Sequence, residues 1–223
     1  MCGRYSNKLT RETLEEYMAN KVKFISELQP SYNIAPSHSS YIVTQSRPTE
    51  ITEMNWGLFP YGKTSGQLLI NARSETVFEK ATFEYAIKDR RCLVLGDSFY
   101  EWKKMGRDRI PYRISWKDRE MMIFAGLYNE WGVGSEKFAG FAILTTSPNA
   151  EMSTVHNRAP VLLKTEKEQS EWISDIPYSE IRALTQPLPD DSLHIYRVSN
   201  RVNKPINNSL DLHREIPEQP TLF

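Results

Sequence analysis

Apolar and polar positions follow two different periods along this chain. Short runs rich in β-branched and aromatic residues, separated by turn residues, occupy Tyr41–Gln45, Glu53–Leu58, Arg91–Leu95, Tyr112–Trp116, Met121–Tyr128, Phe138–Thr145 and His194–Val198. Such runs predict strands, and they dominate the middle of the chain. Helical spacing appears at the ends. After Thr10, Leu14, Tyr17 and Met18 recur on one face with acidic residues in the first turns, which predicts a short amphipathic helix behind an extended N-terminal arm. Thr165-Glu166-Lys167-Glu168 has the form of a capping box ahead of Trp172 and Ile173, and Tyr178–Thr185 reads as a further helix between Pro177 and Pro187. Strands and helices do not alternate regularly. The predicted fold class is therefore α+β, with a mainly antiparallel, curved or barrel-like β-sheet core and peripheral helices.

Composition narrows the picture modestly. The 223 residues, 39% hydrophobic and 11% aromatic, suffice for one domain with a sizeable core, and the 13 prolines are spread without marking a boundary. A single domain over residues 1–223 is expected. Lys plus Arg and Asp plus Glu both number 28, so a polyanion would have to be met by a local concentration of positive charge. Cys2 and Cys92 are too few for a disulfide framework, and no Cys/His spacing suggests zinc, so neither metal nor cofactor is expected. With no apolar run of membrane-spanning length and no signal-peptide pattern, the expected location is cytoplasmic, or nucleoid-associated in a bacterium, without membrane partners.

The candidate chemistry begins at Met1-Cys2-Gly3-Arg4. Removal of Met1 would leave Cys2 with an α-amine and a thiol on adjacent carbons, with ordinary pKa values of about 8 and about 8.5. A 1,2-aminothiol captures aldehydes: the amine forms a Schiff base and the neighbouring thiolate closes a thiazolidine on the same carbon. A cysteine at position 2 is uninformative by itself. In Asn71-Ala72-Arg73-Ser74-Glu75 and His156-Asn157-Arg158, as in Cys2-Gly3-Arg4, an extended backbone would put a chemical group and an arginine on one face. Guanidinium forks at Arg4, Arg73 and Arg158 suit a sugar flanked by phosphodiesters, although each triplet also fits a solvated strand edge. Glu101, within Phe99-Tyr100-Glu101-Trp102, is a carboxylate among aromatics, where desolvation would raise its pKa and equip it for proton transfer; an exposed strand-edge glutamate is the other reading. Trp56 and Pro36 fit either core packing or a stacking shelf beside a single strand. Cys92 reads as a buried strand residue, and His38, His194 and His213 show no partnering pattern.

Cys-Gly-Arg-Tyr at residues 2–5, Tyr32–Pro36, Trp56-Gly57-Leu58, Asn71–Glu75, Phe99–Trp102 and His156-Asn157-Arg158-Ala159-Pro160 together resemble the SOS-response-associated peptidase family of abasic-site processing proteins, over residues 2–205. The resemblance implies a covalent crosslink between Cys2 and the ring-opened sugar of an abasic site in single-stranded DNA. Cys2 would be the nucleophile, Glu101 the proton shuttle, His156 the group that stabilises the opened sugar, and Asn71 the orienter of the amine or sugar. Arg4, Arg73 and Arg158 would hold flanking phosphates, and Pro36 and Trp56 would kink or stack against the strand. Self-removal of Met1 and reversal of the crosslink are secondary activities that the family implies. The partner is then single-stranded DNA containing abasic sites, and a monomer is expected. Two rival readings remain: an N-terminal-nucleophile cysteine amidotransferase, which would want an Asn-Gly element absent here, and a non-catalytic single-stranded DNA-binding module indifferent to Cys2.

Overall fold

A computed structural model describes residues 2–18, 22–25, 27–60, 63, 66–133 and 136–217. The first half of the chain runs β1 (Tyr5–Asn7), α1 (Arg11–Tyr17), β2 (Lys23–Phe24), β3 (Ser31–Ile34), β4 (Ser39–Thr44), β5 (Arg47–Trp56), β6 (Asn71–Arg73), α2 (Ala81–Asp89) and β7 (Arg91–Gly96). The second half runs β8 (Ser98–Met105), β9 (Asp108–Trp116), β10 (Met122–Val133), β11 (Glu136–Thr146), α3 (Ala150–Ser153), β12 (Ala159–Pro160), α4 (Glu166–Trp172), α5 (Tyr178–Ala183) and β13 (Leu193–Arg197). Two 3-10 turns, Asn200–Asn203 and Leu210–His213, follow.

Strands β11, β10, β7, β4 and β5 pair in series, and β5 returns to pair in parallel with β11, closing a five-stranded barrel. Closure removes the edges that an open sheet would expose. It demands a close backbone approach at Gly140, where an added Cβ would lie 2.1 Å from the Gly57 carbonyl oxygen. A second, antiparallel sheet has the order β13-β9-β8-β1-β3. The chain passes from barrel to sheet through the single residue Asp97, between β7 and β8. This is the α+β, barrel-like architecture expected from the strand pattern.

Period-two alternation along the barrel strands divides their apolar residues between two clusters. Ile42, Trp56, Val94, Phe124 and Phe141 share one cluster with Tyr5, Phe99 and Ile114 of the second sheet. Their neighbours Val43, Leu93, Leu95, Ile123 and Leu144 form the other cluster with Leu14, Ile87, Trp172 and Ile181 of the helices. Barrel strands are thus covered on both faces, which is why Cys92-Leu93-Val94-Leu95 of β7 form an unbroken apolar run and why Cys92 is wholly buried. The helices begin where their caps dictate. Thr10 accepts from the Thr13 N–H ahead of α1, and at α4 Thr165 and Glu168 form both hydrogen bonds of the capping box. Among the described residues, no helix is long and apolar enough to cross a membrane.

Candidate active site and nucleic-acid interface

The N-terminal arm is held beside β8 by a buried polar cluster. Asp97 accepts from the Lys8 backbone N–H at 2.8 Å, from the Ser6 and Ser98 hydroxyls, and from Arg113 Nη2 at 2.8 Å. Arg113 Nε donates to Ser98 Oγ, so the carboxylate and guanidinium lock β1, β8 and β9 together. Upstream of this anchor the Tyr100 N–H donates to the Arg4 carbonyl, which runs Cys2 along β8 towards Glu101.

Cys2 is completely buried. Desolvation, reinforced by the nearby Glu101 carboxylate, pushes its thiol well above the ordinary value, so the sulfur is held as the protonated thiol. Asn71, on β6, donates from Nδ2 to the Cys2 carbonyl at 2.8 Å. Its Oδ1 is buried and has no hydrogen-bond partner among the described residues, leaving an acceptor beside Cys2. Trp56 sets the position of this strand, for its indole N–H donates to the carbonyl of Ile70 at 2.9 Å.

Glu101 is 4% exposed, and burial raises its carboxyl above the usual carboxylate range. His156 Nδ1 lies 4.0 Å from Glu101 Oε1. That ring nitrogen accepts the Arg158 N–H at 3.1 Å, which leaves Nε2 to carry the proton of a neutral imidazole. Desolvation lowers the His156 pKa and favours the same neutral form. Glu101 and His156 line a cavity of about 440 Å³ with Trp102, Arg109 and Asn203. A buried proton-exchanging carboxyl, a neutral imidazole and an orienting amide at a cysteine main chain can form and open a carbon–nitrogen bond at a carbonyl carbon.

Several expected placements are revised. Trp56 is fully buried, edge-on to Tyr5 with ring centroids 5.0 Å apart, and offers no face to a passing strand. Pro36 is half-buried and precedes Ser37, whose φ of 73° turns the chain. The extended run from Asn71 stops at Arg73, and a turn then carries Glu75 back to receive Arg158. His156 and Arg158 also meet in a bend, not along a strand. Arg158 forms a two-pronged pair with Glu75 and donates to the Thr145 carbonyl at 2.6 Å. Arg4 Nη1 donates to Asn33 Oδ1 at 2.7 Å and to the Val202 carbonyl at 2.6 Å. Arg73 stands apart, exposed and with no ion pair among the described residues. Met1 lies outside the described residues.

A family model described as SOS response associated peptidase (SRAP) matches residues 1–205. The chain belongs to the SRAP family. This SRAP chain is 36% identical over 224 residues to the abasic site processing protein YoqW of Bacillus subtilis (strain 168), covering 95% of itself and 98% of that protein. It is 28% identical over 262 residues to the abasic site processing protein HMCES of Mus musculus, covering 94% of itself and 74% of that protein. Its fold matches a crystal structure of a protein from Bacteroides thetaiotaomicron with a TM-score of 0.84 at 25% identity, over 97% of this chain and all of that one.

Two cavity-lining residues of this SRAP chain, Arg109 and Asn203, lie outside every motif, and a third, Trp102, stands within one but is given no role there. Trp102 adjoins Glu101, and its indole N–H donates to Asn203 Oδ1 at 2.7 Å. Arg109 is seven residues beyond Trp102 and reaches the cavity only because β8 and β9 pair as a hairpin. Asn203 arrives from the far end of the chain, where Asn33 Nδ2 donates to the carbonyls of Val202, Lys204 and Asn207.

Proposed function

We propose that this protein processes abasic sites in single-stranded DNA by forming a thiazolidine between Cys2, freed of Met1, and the C1′ aldehyde of the ring-opened sugar. The observation that carries the reading is the grip of Asn71 on the Cys2 main chain beside the buried carboxyl of Glu101. The names of YoqW and HMCES, abasic site processing proteins related over most of this chain, support the substrate class. In the first step the α-amine adds to the aldehyde and water leaves, giving a C1′=N bond. Glu101 protonates the departing oxygen, and Asn71 Oδ1 accepts an amine N–H to aim the lone pair. In the second step the thiol adds across that bond: sulfur joins C1′, its proton ends on nitrogen, and the five-membered ring closes. A thiol held protonated at rest suits this order, since the amine reacts first and the thiol finds its carbon already placed. The neutral His156 can donate from Nε2 to the freed sugar hydroxyl.

The test is incubation of mature protein with single-stranded DNA bearing one abasic site, followed by denaturing electrophoresis and intact-mass measurement. The expected result is a covalent adduct one water lighter than the sum of its parts, absent in Cys2→Ala. No adduct from protein with a verified N-terminal Cys2, or glutaminase activity in its place, overturns the reading.

A further inference from the structure

Charge on this chain balances globally but not around the cavity. The ten residues from Trp102 to Pro111 hold Lys103, Lys104, Arg107 and Arg109 against the single acid Asp108. They form the β8–β9 hairpin, whose base carries Glu101 and Trp102 at the cavity and whose tip projects as exposed surface from Lys104 to Arg109. None of the four cations makes an ion pair among the described residues, whereas Arg4, Arg113 and Arg158 each donate to protein acceptors. Lys104 and Arg109 stand directly opposite each other across the two strands, an arrangement unfavourable for like charges unless an anion lies between or above them. The hairpin is built to hold its shape. Met105 and Asp108 pair, and Gly106, with φ of 61°, takes the left-handed conformation required at the first position of a tight hairpin turn.

We propose that this hairpin is a phosphate-binding arm, with Arg109 at the cavity rim and Lys104 beside it gripping the DNA backbone on the Trp102 side of the lesion. The proposal rests on the abasic-DNA reading above and adds residues that no motif pointed to. Arg109 shares the cavity with Glu101 and His156, so a phosphate it binds adjoins the reacting sugar. From Trp102 to Met105 the strand rises roughly 10 Å, the length of about three stacked nucleotides. Phosphate contacts of this kind set register and carry no sequence preference, as a lesion without a base requires.

The test uses single-stranded DNA with a central tetrahydrofuran residue, an abasic analogue that lacks the aldehyde, and follows binding by fluorescence anisotropy over a range of salt. The double variant Lys104→Gln/Arg109→Gln should bind about tenfold more weakly at moderate salt. Its plot of log affinity against log salt should flatten by about 1.4, or about 0.7 for each phosphate of a single strand that is no longer neutralised. Arg109→Lys should keep the steeper slope, which a purely structural role for Arg109 would not predict. Lys80→Gln/Lys88→Gln, which removes the same charge from around α2, should leave both readings unchanged. Shortening the DNA on one side of the lesion should abolish the difference between parent and hairpin variant; shortening it on the other side should not. Identical slopes for parent and hairpin variant, or equal weakening by the α2 control, overturns the proposal. Because the analogue cannot react, a failure here is separable from a failure of the Cys2 chemistry.

Discussion

At the scale of one residue, the proposed chemistry turns on Glu101. Its carboxyl is buried and raised by desolvation, so it exchanges a proton closer to neutrality than an exposed glutamate does. Glu101→Gln keeps the shape and removes the proton. The expected outcome is a crosslinking rate lower by about 100-fold or more, with affinity for tetrahydrofuran DNA changed by less than about twofold. Rate against pH should lose the limb that the parent shows above the ordinary carboxylate range. Equal losses in rate and affinity would move Glu101 from proton transfer to binding. Its burial was half legible in the sequence: flanking aromatics predict desolvation, although an exposed strand-edge glutamate fitted the same residues. Trp56 was not legible in the same way, since an aromatic in a strand announces burial or stacking equally well. Only barrel closure decides: Trp56 pairs with Phe141 across the closing seam and points inward, where it steadies the strand bearing Asn71.

At the scale of elements, the arm that presents Cys2 depends on the Asp97–Arg113 pair. Asp97 is 1% exposed, and its hydrogen bonds join the arm to β8 and β9. Removing one member of a buried pair strands the other charge, so Asp97→Asn should lower stability by about 3–5 kcal/mol, read from urea unfolding. Asp97→Leu combined with Arg113→Met should recover part of that loss, because neither charge is then left alone. A neutral single variant would show that the arm is held by its backbone pairing instead. Elements with strong local signals were readable: the Thr165 capping box and the β7 run stand where the residues put them. Helix α2 was not, although Phe83, Ala86 and Ile87 have helical spacing, because Lys80 supplies no side-chain cap to announce its start. β8 was not delimited, although Glu101 could be read at a strand edge, because Asp97 and Ser98 ahead of it resemble a loop; their polarity serves the buried anchor.

The whole molecule is closed by its last described segment, which lies far from the site in sequence. Asn33 and Arg4 hold its Val202 end, Trp102 donates to Asn203, and Tyr196 donates to the His213 carbonyl. Nothing in the local sequence pairs these residues, so this wall of the cavity could be seen only in three dimensions. His213 makes the closure sensitive to acid. It sits against Tyr32 and Tyr100, its Nε2 is buried without a hydrogen-bond partner among the described residues, and its pKa falls to about 4. Desolvation is the main cause, followed by the Arg113 charge, with Asp97 opposing and Lys8 assisting. A histidine whose folded pKa lies below its unfolded value of about 6.5 takes up its proton more readily when unfolded, so it costs stability as the medium becomes acid. Its contribution is intact above pH 6.5, declines as pH falls towards 4, and levels off below; the loss is at most about 3 kcal/mol. Urea midpoints measured from pH 7.5 down to 3.5 should therefore converge for the parent and His213→Gln across that window. Acid sensitivity that arises elsewhere in the molecule is shared by both proteins and cancels in the comparison. Parallel curves from pH 7.5 to 3.5 would mean that His213 is protonated equally in the folded and unfolded chains, and that the segment closing the cavity is held by its hydrogen bonds alone.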